Sequence, residues 1–178
     1  MTNSPKGYFT VLLFVLGTAL FGQSATKSYQ AGRDALTDDR FYEAVESFKS
    51  ALEQNPRYLE PLTGLAESYF ALSEYDEALV YVLQARGLDR TNTRLIGLEG
   101  RIRIGLAQFA EARSLFELIL LSEPNSIDAK FGLAELEIAF GQSANAANLY
   151  EEALAISPYN RRALLSLVLI FDEAGNTE

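Results

Sequence analysis

The chain has 178 residues, 48% hydrophobic and 22% charged, values that belong to an ordered, packed protein. Its formal net charge is −9 and no basic stripe is present, which argues against nucleic acid as a partner, because phosphate backbones bind clustered Lys and Arg. Cysteine and histidine are both absent, so disulfides, thiol catalysis, a Ser-His-Asp triad and the two best zinc ligands are excluded.

The first 25 residues have the layout of a secretory signal peptide. Lys6 precedes an almost wholly apolar run over residues 11–21, and small and polar residues follow. Counted generously over residues 8–22 the run is still shorter than the roughly 20 residues that a membrane-spanning helix needs. We therefore expect export to the periplasm or cell envelope; the alternatives are an uncleaved anchor formed by residues 8–22 and a buried N-terminal helix. Cleavage is expected at one of three small residues: Gly22, Ser24 or Ala25.

From residue 25 onward, one apolar pattern returns every 34 residues. It is marked by four alanines, Ala44, Ala78, Ala112 and Ala146. An aromatic residue or valine follows each alanine by four residues, at Phe48, Val82, Phe116 and Tyr150. Apolar residues at three- and four-residue steps on both sides of a short turn predict two helices per repeat. Proline ends the second helix in three repeats, at Pro56, Pro124 and Pro158.

This spacing resembles the tetratricopeptide repeat, in which W-x2-L-G-x2-Y, A-x3-F and P recur over 34 residues. The resemblance covers four full repeats and the first helix of a fifth, at residues 25–58, 59–92, 93–126, 127–160 and 161–178. It implies an all-α, right-handed solenoid of antiparallel helix pairs over residues 26–178. It also implies a scaffold that binds a protein or peptide, with no enzyme activity and no cofactor. Two departures stand in the third repeat, where Glu99 and Arg103 occupy positions that the family fills with apolar residues.

Acidic pairs occur near the predicted turns, but we interpret them as charges that favour the start of a helix. These pairs are Asp38-Asp39, Asp76-Glu77 and Glu151-Glu152. No metal site is expected from them, and no glycine-rich phosphate loop is present in the sequence.

The resemblance also places the partner-binding groove on the first helix of each repeat, at positions 2, 5, 9 and 12. Those positions hold Thr26, Tyr29, Arg33 and Leu36; Glu60, Thr63, Glu67 and Phe70; Arg94, Gly97, Arg101 and Ile104; and Asp128, Phe131, Glu135 and Ile138. The strongest candidates for partner contact are Tyr29, Arg33, Thr63, Glu67, Phe70, Arg101, Phe131 and Glu135. Among them the aromatic residues Tyr29, Phe70 and Phe131 are the expected affinity anchors. Family members that clamp a chaperone's acidic C-terminus use Lys and Asn at positions that here hold Tyr29, Arg33 and Gly64, so that function is not expected.

Charge alternates along two of these groove positions from one repeat to the next. Position 9 holds Arg33, Glu67, Arg101 and Glu135, and position 2 holds Glu60, Arg94, Asp128 and Arg162. We interpret each row as a ladder of ion pairs between neighbouring first helices, about 10 Å apart; recognition of a polar peptide is the alternative.

The last predicted helix is unusually apolar. Its expected packing stripe is Leu164, Leu167, Val168 and Phe171, which leaves Leu165, Leu169 and Ile170 as an uncovered edge for oligomer contact. The alternatives are a natural chain that continues past Glu178 and a groove lined by Leu165 and Leu169. Three functions therefore compete: an exported scaffold, a structural subunit that forms a homo-oligomer, and the repeat module of a longer protein whose active domain lies elsewhere.

Overall fold

The computed structural model describes residues 24–175, which form helices and connecting turns with no strand in that range. The helices are α1 (24–37), α2 (Phe41–Gln54), α3 (Leu59–Ala71), α4 (Tyr75–Leu88), α5 (Thr93–Gly105), α6 (Phe109–Ser122), α7 (Ile127–Ala139), α8 (Ser143–Ile156) and α9 (Arg161–Gly175). The prediction of an all-α protein is confirmed. None of these helices combines the length and apolarity that a bilayer crossing demands. The predicted leader falls almost entirely on residues 1–23, outside the described residues.

The helix boundaries keep the 34-residue period of the sequence. The second helices begin at Phe41, Tyr75, Phe109 and Ser143, and α3, α5, α7 and α9 follow the same step. Since only three residues separate the two helices of a pair, they fold back on each other as antiparallel neighbours. The four alanines that mark the sequence period are all fully buried, as their small size at a close helix crossing predicts.

Each turn within a pair contains one residue in the left-handed region. These residues are Asp39, Ser73, Ala107 and Gly141, with φ between 56° and 71°. At the third turn, Gln108 N donates to Arg103 O at 2.8 Å and Ala107 N donates to Ile104 O at 2.9 Å. The same two bonds recur at the other three turns. This is the Schellman arrangement, which satisfies the last carbonyls of a helix and requires a positive φ.

The second helices end at the same place whether or not proline follows. α4 ends at Leu88, two residues before Arg90, just as α2 ends two residues before Pro56. Proline is therefore not needed to end a helix at this position of the repeat. Side chains cap the start of the next helices: the Asn92 side chain accepts a hydrogen bond from Leu95 N before α5, and the Ser126 side chain accepts one from Ala129 N before α7.

Among the described residues, those from 24 to 88 form one compact unit and those from 89 to 175 form a second. In the first unit the fully buried ring of Phe48 lies between two glycines, Gly32 of α1 and Gly64 of α3. A β-carbon on either glycine would stand 2.5–2.6 Å from that ring, so only glycine leaves room for it. Tyr69 stacks on Tyr81 with ring centroids 5.5 Å apart.

The second unit contains two hydrophobic clusters. One surrounds Phe116 and joins α5, α6 and α7; its ring lies between Gly100 and Gly132, as Phe48 lies between its own two glycines. The other joins α7, α8 and α9 around Phe131 and Tyr150. The helix α9 contributes three residues to this second cluster: Ala163, Leu167 and Ile170.

The predicted packing stripe of α9 is correct at Leu167, which belongs to the core, and wrong at its other three residues. Ile170, expected on the uncovered edge, is 9% exposed and belongs to the core, whereas Leu164, Val168 and Phe171 are between 44% and 63% exposed. The cause is that α9 packs on α8 of the preceding repeat, whereas the predicted stripe is the one that faces a repeat's own second helix. Leu165 and Leu169 are exposed, as expected.

The two charged residues of the third repeat are accommodated by pairing. The side chain of Glu99 is buried, and Arg103 Nε donates to Glu99 Oε1 at 2.7 Å from one turn further along α5. Arg103 Nη1 also donates to Gln108 Oε1 at 2.7 Å. An ion pair therefore occupies space on α5 that the family normally fills with apolar side chains.

Candidate partner-binding groove

In the first unit, the groove candidates come from α1 and α3. The ring of Tyr29 is half-buried against Phe48 and Tyr58, with centroids 6.1 Å and 5.4 Å away. Arg33 Nη1 donates to the Tyr29 hydroxyl at 3.4 Å, and this bond, with a smaller contribution from Glu67, raises the pKa of Arg33. Tyr29 and Arg33 are thus brought together on one helix, with the Glu67 carboxylate near them on α3.

The other two candidates of the first unit are engaged locally. Thr63 Oγ1 donates to Leu59 O at 3.0 Å within α3, and the half-buried Phe70 ring lies 5.8 Å from the Tyr75 ring. Both residues keep part of their surface exposed. Phe70 remains accessible enough to contact a partner.

Phe131 in the second unit does not serve as an accessible anchor. Its side chain is 3% exposed and packs on Tyr150, with centroids 5.4 Å apart. The guanidinium of Arg162 covers the ring at 4.7 Å from its centroid and forms an ion pair with Glu135. The sequence pattern could not predict this, because it does not say that a residue of α9 lies over the α7 ring.

One ion pair, between Arg162 and Glu135, connects the two groove rows. Arg162 stands at position 2 of its repeat, and its partner Glu135 stands at position 9 of the repeat before. Burial raises the pKa of Glu135, although the charges of Arg162 and Arg101 oppose this shift. Along position 9 itself, the charge of Glu67 acts on the pKa of Arg33 and the charge of Arg101 acts on the pKa of Glu135.

A pocket of about 130 Å³, which we call the α5–α7 pocket, opens between α5, α6 and the start of α7. It is lined by Thr93, Arg94, Gly97, Arg101, Phe116, Ile119, Glu123, Ser126 and Asp128. Gly97 leaves the space open, since a β-carbon there would meet only Ile119 Cδ1, at 3.6 Å. Arg101 Nε is buried, and no atom of the described residues accepts a hydrogen bond from it. The pocket therefore combines the apolar side chains of Phe116 and Ile119 with two arginines, two carboxylates and one unused hydrogen-bond donor, Arg101 Nε.

Of the strongest groove candidates from the sequence, the pocket includes only Arg101. The lining also includes Arg94 and Asp128, which stand at groove position 2, and Gly97, which stands at position 5. Glu123 and Ser126 lie in the loop between α6 and α7, and no groove position of the repeat pattern includes that loop. A search for polar residues flanking a glycine at position 5 would have found most of this site.

Helix pairs repeated every 34 residues define the class of helical-repeat proteins. Two family profiles, each described as the tetratricopeptide repeat, match residues 35–102 and 98–161. The chain belongs to the tetratricopeptide-repeat family, as its sequence spacing indicates. Repeats of this family form scaffolds for protein–protein interaction and are in general not catalytic.

Curated relatives share part of their length with the chain. Cellulose synthase 1 operon protein C of Komagataeibacter xylinus is 28% identical over 160 residues, which cover 83% of this chain and 12% of that protein. RNA polymerase II-associated protein 3 of Mus musculus is 25% identical over 129 residues, covering 72% of this chain and 20% of that protein. The chain thus spans a fifth or less of the length of these relatives.

Solved structures show the same fold. A thermophilic TPR protein of Thermus thermophilus, TTC0263, superposes with a TM-score of 0.73 at 21% identity, covering 92% of this chain and 96% of that one. MamA gives a TM-score of 0.67 at 21% identity, with coverages of 86% and 84%. The first TPR of Spaghetti (RPAP3), solved with the HSP90 peptide SRMEEVD, gives 0.62 at 24% identity, with coverages of 67% and 94%.

Proposed function

We propose that the protein is a scaffold that binds an extended peptide segment of a partner protein, and that the α5–α7 pocket receives an acidic side chain of that segment. The observation that carries the proposal is the buried Arg101 Nε facing a pocket that Gly97 keeps open. A buried donor without an acceptor costs about 1–3 kcal/mol, and a carboxylate supplies the strongest acceptor.

Similar TPR domains that were solved with bound peptides support a peptide ligand. Solved TPR domains of RPAP3 contain the peptides SRMEEVD and SGPTIEEVD, both of which carry several carboxylates. In this chain the positions that clamp such a C-terminus in the family hold Tyr29, Arg33 and Gly64. We therefore propose an internal acidic residue as the ligand group, with Phe70 as an additional apolar contact.

Selection from a displayed peptide library, with the full chain as bait, tests this proposal. Enriched peptides should contain Asp or Glu at one recurring position. Arg101→Met should then weaken the best enriched peptide at least tenfold, and Gly97→Leu should do the same by filling the pocket. Arg57→Met, which removes an exposed arginine elsewhere, is the matched control and should leave affinity unchanged. Enrichment of peptides without acidic residues, or no enrichment at all, would contradict the proposal.

We also propose that the protein is exported and acts in the periplasm or cell envelope. The support is the layout of residues 1–25, with its basic start, apolar run and small-residue exit. The side chain of Ala25 is buried at the start of α1, so cleavage after Gly22 keeps a packing residue that cleavage after Ala25 would remove. The N-terminal sequence of the mature protein from its native host tests this: a start between Gln23 and Ser28 supports the proposal, and an intact Met1 or Thr2 supports the anchor instead.

A further inference from the structure

The first and fourth repeats fill position 5 of the groove with an aromatic ring. In the first repeat the ring of Tyr29 lies against Phe48 of the second helix, with centroids 6.1 Å apart. In the fourth repeat Phe131 packs on Tyr150 of the second helix, with centroids 5.4 Å apart. In both repeats, the ring at position 5 therefore rests on the large aromatic residue of the second helix.

The third repeat has this aromatic residue, Phe116, but a glycine at position 5, Gly97. The α5–α7 pocket is the space that opens beside Gly97, and Phe116 lines it. Ser126 leaves further room, because the first repeat carries Tyr58 at the equivalent position, with its ring 5.4 Å from the ring of Tyr29. The pocket thus stands where another repeat of the same chain holds a ring.

Ile119 takes up part of this space. The first and fourth repeats carry alanine at its position, as Ala51 and Ala153, whereas Ile119 Cδ1 lies 3.6 Å from a β-carbon placed on Gly97. About 130 Å³ stays open beside it. A ring that enters from a partner brings no backbone of its own into the pocket, so it needs less depth than a ring carried by position 5.

An arginine accompanies the ring in both of the filled repeats. In the first repeat, Arg33 Nη1 donates to the Tyr29 hydroxyl at 3.4 Å. In the fourth, the guanidinium of Arg162 covers the Phe131 ring and also forms an ion pair with Glu135. The fourth repeat therefore holds a ring, a guanidinium and a carboxylate in contact with one another.

The third repeat supplies the guanidinium of this group but not the ring. Arg101 stands at position 9, as Arg33 does in the first repeat. The carboxylates of Glu123 and Asp128 also line the pocket, but neither accepts a hydrogen bond from the buried Arg101 Nε. A ligand that completes the arrangement of the fourth repeat brings both an aromatic ring and a carboxylate.

We propose that the partner segment carries an aromatic residue two positions from its acidic residue, and that the aromatic ring enters the α5–α7 pocket beside Phe116 while the carboxylate binds Arg101; this rests on the peptide-binding function proposed above. The spacing follows from the fourth repeat, where Phe131 and Glu135 are four residues apart on one helix, about 6 Å along its axis. Two residues of an extended segment span about 6.6 Å and place both side chains on the same side.

A displayed peptide library with one fixed central Glu and all other positions random tests the proposal, with the full chain as bait. Phe, Tyr and Trp should be enriched at least fivefold at the second position before or after the Glu. A Gly97→Phe bait, which carries its own ring at position 5, should lose this preference. Gly87→Phe is the matched control and should keep it, because Gly87 is exposed on α4 and a β-carbon there meets no atom within 4 Å.

A parallel library with Gln in place of the fixed Glu separates this proposal from the one on which it rests. Preferential recovery of the Glu library without an aromatic preference at those positions would overturn the ring's place in the pocket and leave the acidic ligand standing. Equal recovery of the two libraries would overturn both. An aromatic preference that persists in Gly97→Phe would also contradict the proposal. Circular dichroism checks that the variant is helical, and Gly97→Leu replaces it if it is not.

Discussion

The ring of Phe116 lies directly against the backbone of Gly132: a β-carbon placed on that glycine would stand 2.3 Å from the Cζ of the ring. Gly100 faces the ring from the other side, with a corresponding distance of 2.6 Å. Phe48 has the same relation to two glycines, two repeats earlier. The large aromatic residue and the two glycines that face it thus form one packing unit, and a change in any of the three must be compensated by another.

Gly132→Ala should destabilise the fold. Overpacking costs about 1–3 kcal/mol, which exceeds the gain of up to about 1 kcal/mol in helix propensity when Ala replaces Gly. Urea denaturation measures the difference. Gly97→Ala is the control within the same unit, because its β-carbon meets only one atom, at 3.6 Å, and it should be neutral or stabilising.

Phe116→Val should relieve this clash, because valine is smaller than phenylalanine. The second repeat already carries valine at the equivalent position, as Val82. In a Phe116→Val background, Gly132→Ala should cost at least about 1 kcal/mol less than in the wild type, which is the coupling expected of residues in direct contact. Equal costs in the two backgrounds would show that the ring and the glycine do not constrain each other.

Substitutions at the left-handed turn residues should have opposite signs. Ala107 adopts φ 58° and carries the steric cost of a β-carbon in that conformation, so Ala107→Gly should stabilise the protein by about 0.5–1 kcal/mol. Gly141 adopts φ 71°, and Gly141→Ala should destabilise it by a similar amount. Thermal unfolding of both variants is the measurement; shifts of the same sign would refute the assignment of these turns.

These turns also show how far sequence reasoning reaches. The 34-residue period locates every turn, and the residue type of Gly141 favours the left-handed conformation found there. Asp39, Ser73 and Ala107 occupy the same conformation without that signal, because the two Schellman hydrogen bonds and the packing of the helix pair impose it. Tertiary packing, which is absent from a local pattern, decides the conformation at three of the four turns.

The candidate site is harder to predict than the fold. A family position states which helix face a residue occupies, but not whether another side chain covers it. Phe131 stands at a groove position, but Arg162 covers its ring. Which residues of α9 are buried depends on the neighbouring helix against which α9 packs. The pocket around Arg101 depends on the small size of Gly97 and on a loop between repeats, and the repeat pattern marks neither feature as part of a site.

The Glu99–Arg103 pair should be more costly to break than to replace. Arg103→Met removes the 2.7 Å bond to a buried carboxylate and should destabilise the protein by roughly 1–3 kcal/mol. The double variant Glu99→Leu/Arg103→Met replaces both charges by apolar side chains and should recover most of that loss. Denaturant unfolding of the single and double variants checks this; a double variant weaker than Arg103→Met would contradict it.

Two neighbouring glutamates should contribute to acid stability with opposite signs. Arg113, which donates to Glu137 at 2.8 Å, holds the pKa of Glu137 below its usual value, helped by Asn145, whereas burial raises the pKa of Glu135. The stability that Glu137 contributes is fully present above the unfolded-state pKa of about 4.3 and is lost as pH falls through the lower folded value. Glu135 does the reverse: its ionised form is disfavoured in the fold, so stability rises as pH falls from above its raised pKa towards about 4.3.

Unfolding free energies at pH 3–6 for Glu137→Gln and Glu135→Gln separate these two contributions, because the other carboxylates cancel in the difference from wild type. Glu137→Gln should lose less stability than wild type on acidification below about pH 4.3. Glu135→Gln should instead lack the gain that wild type shows as pH falls towards that value from above. Arg113→Gln should resemble Glu137→Gln in its pH profile, since it removes the main cause of the lowered pKa. Parallel pH profiles for all three variants and the wild type would show that neither carboxyl differs in pKa between the folded and unfolded states.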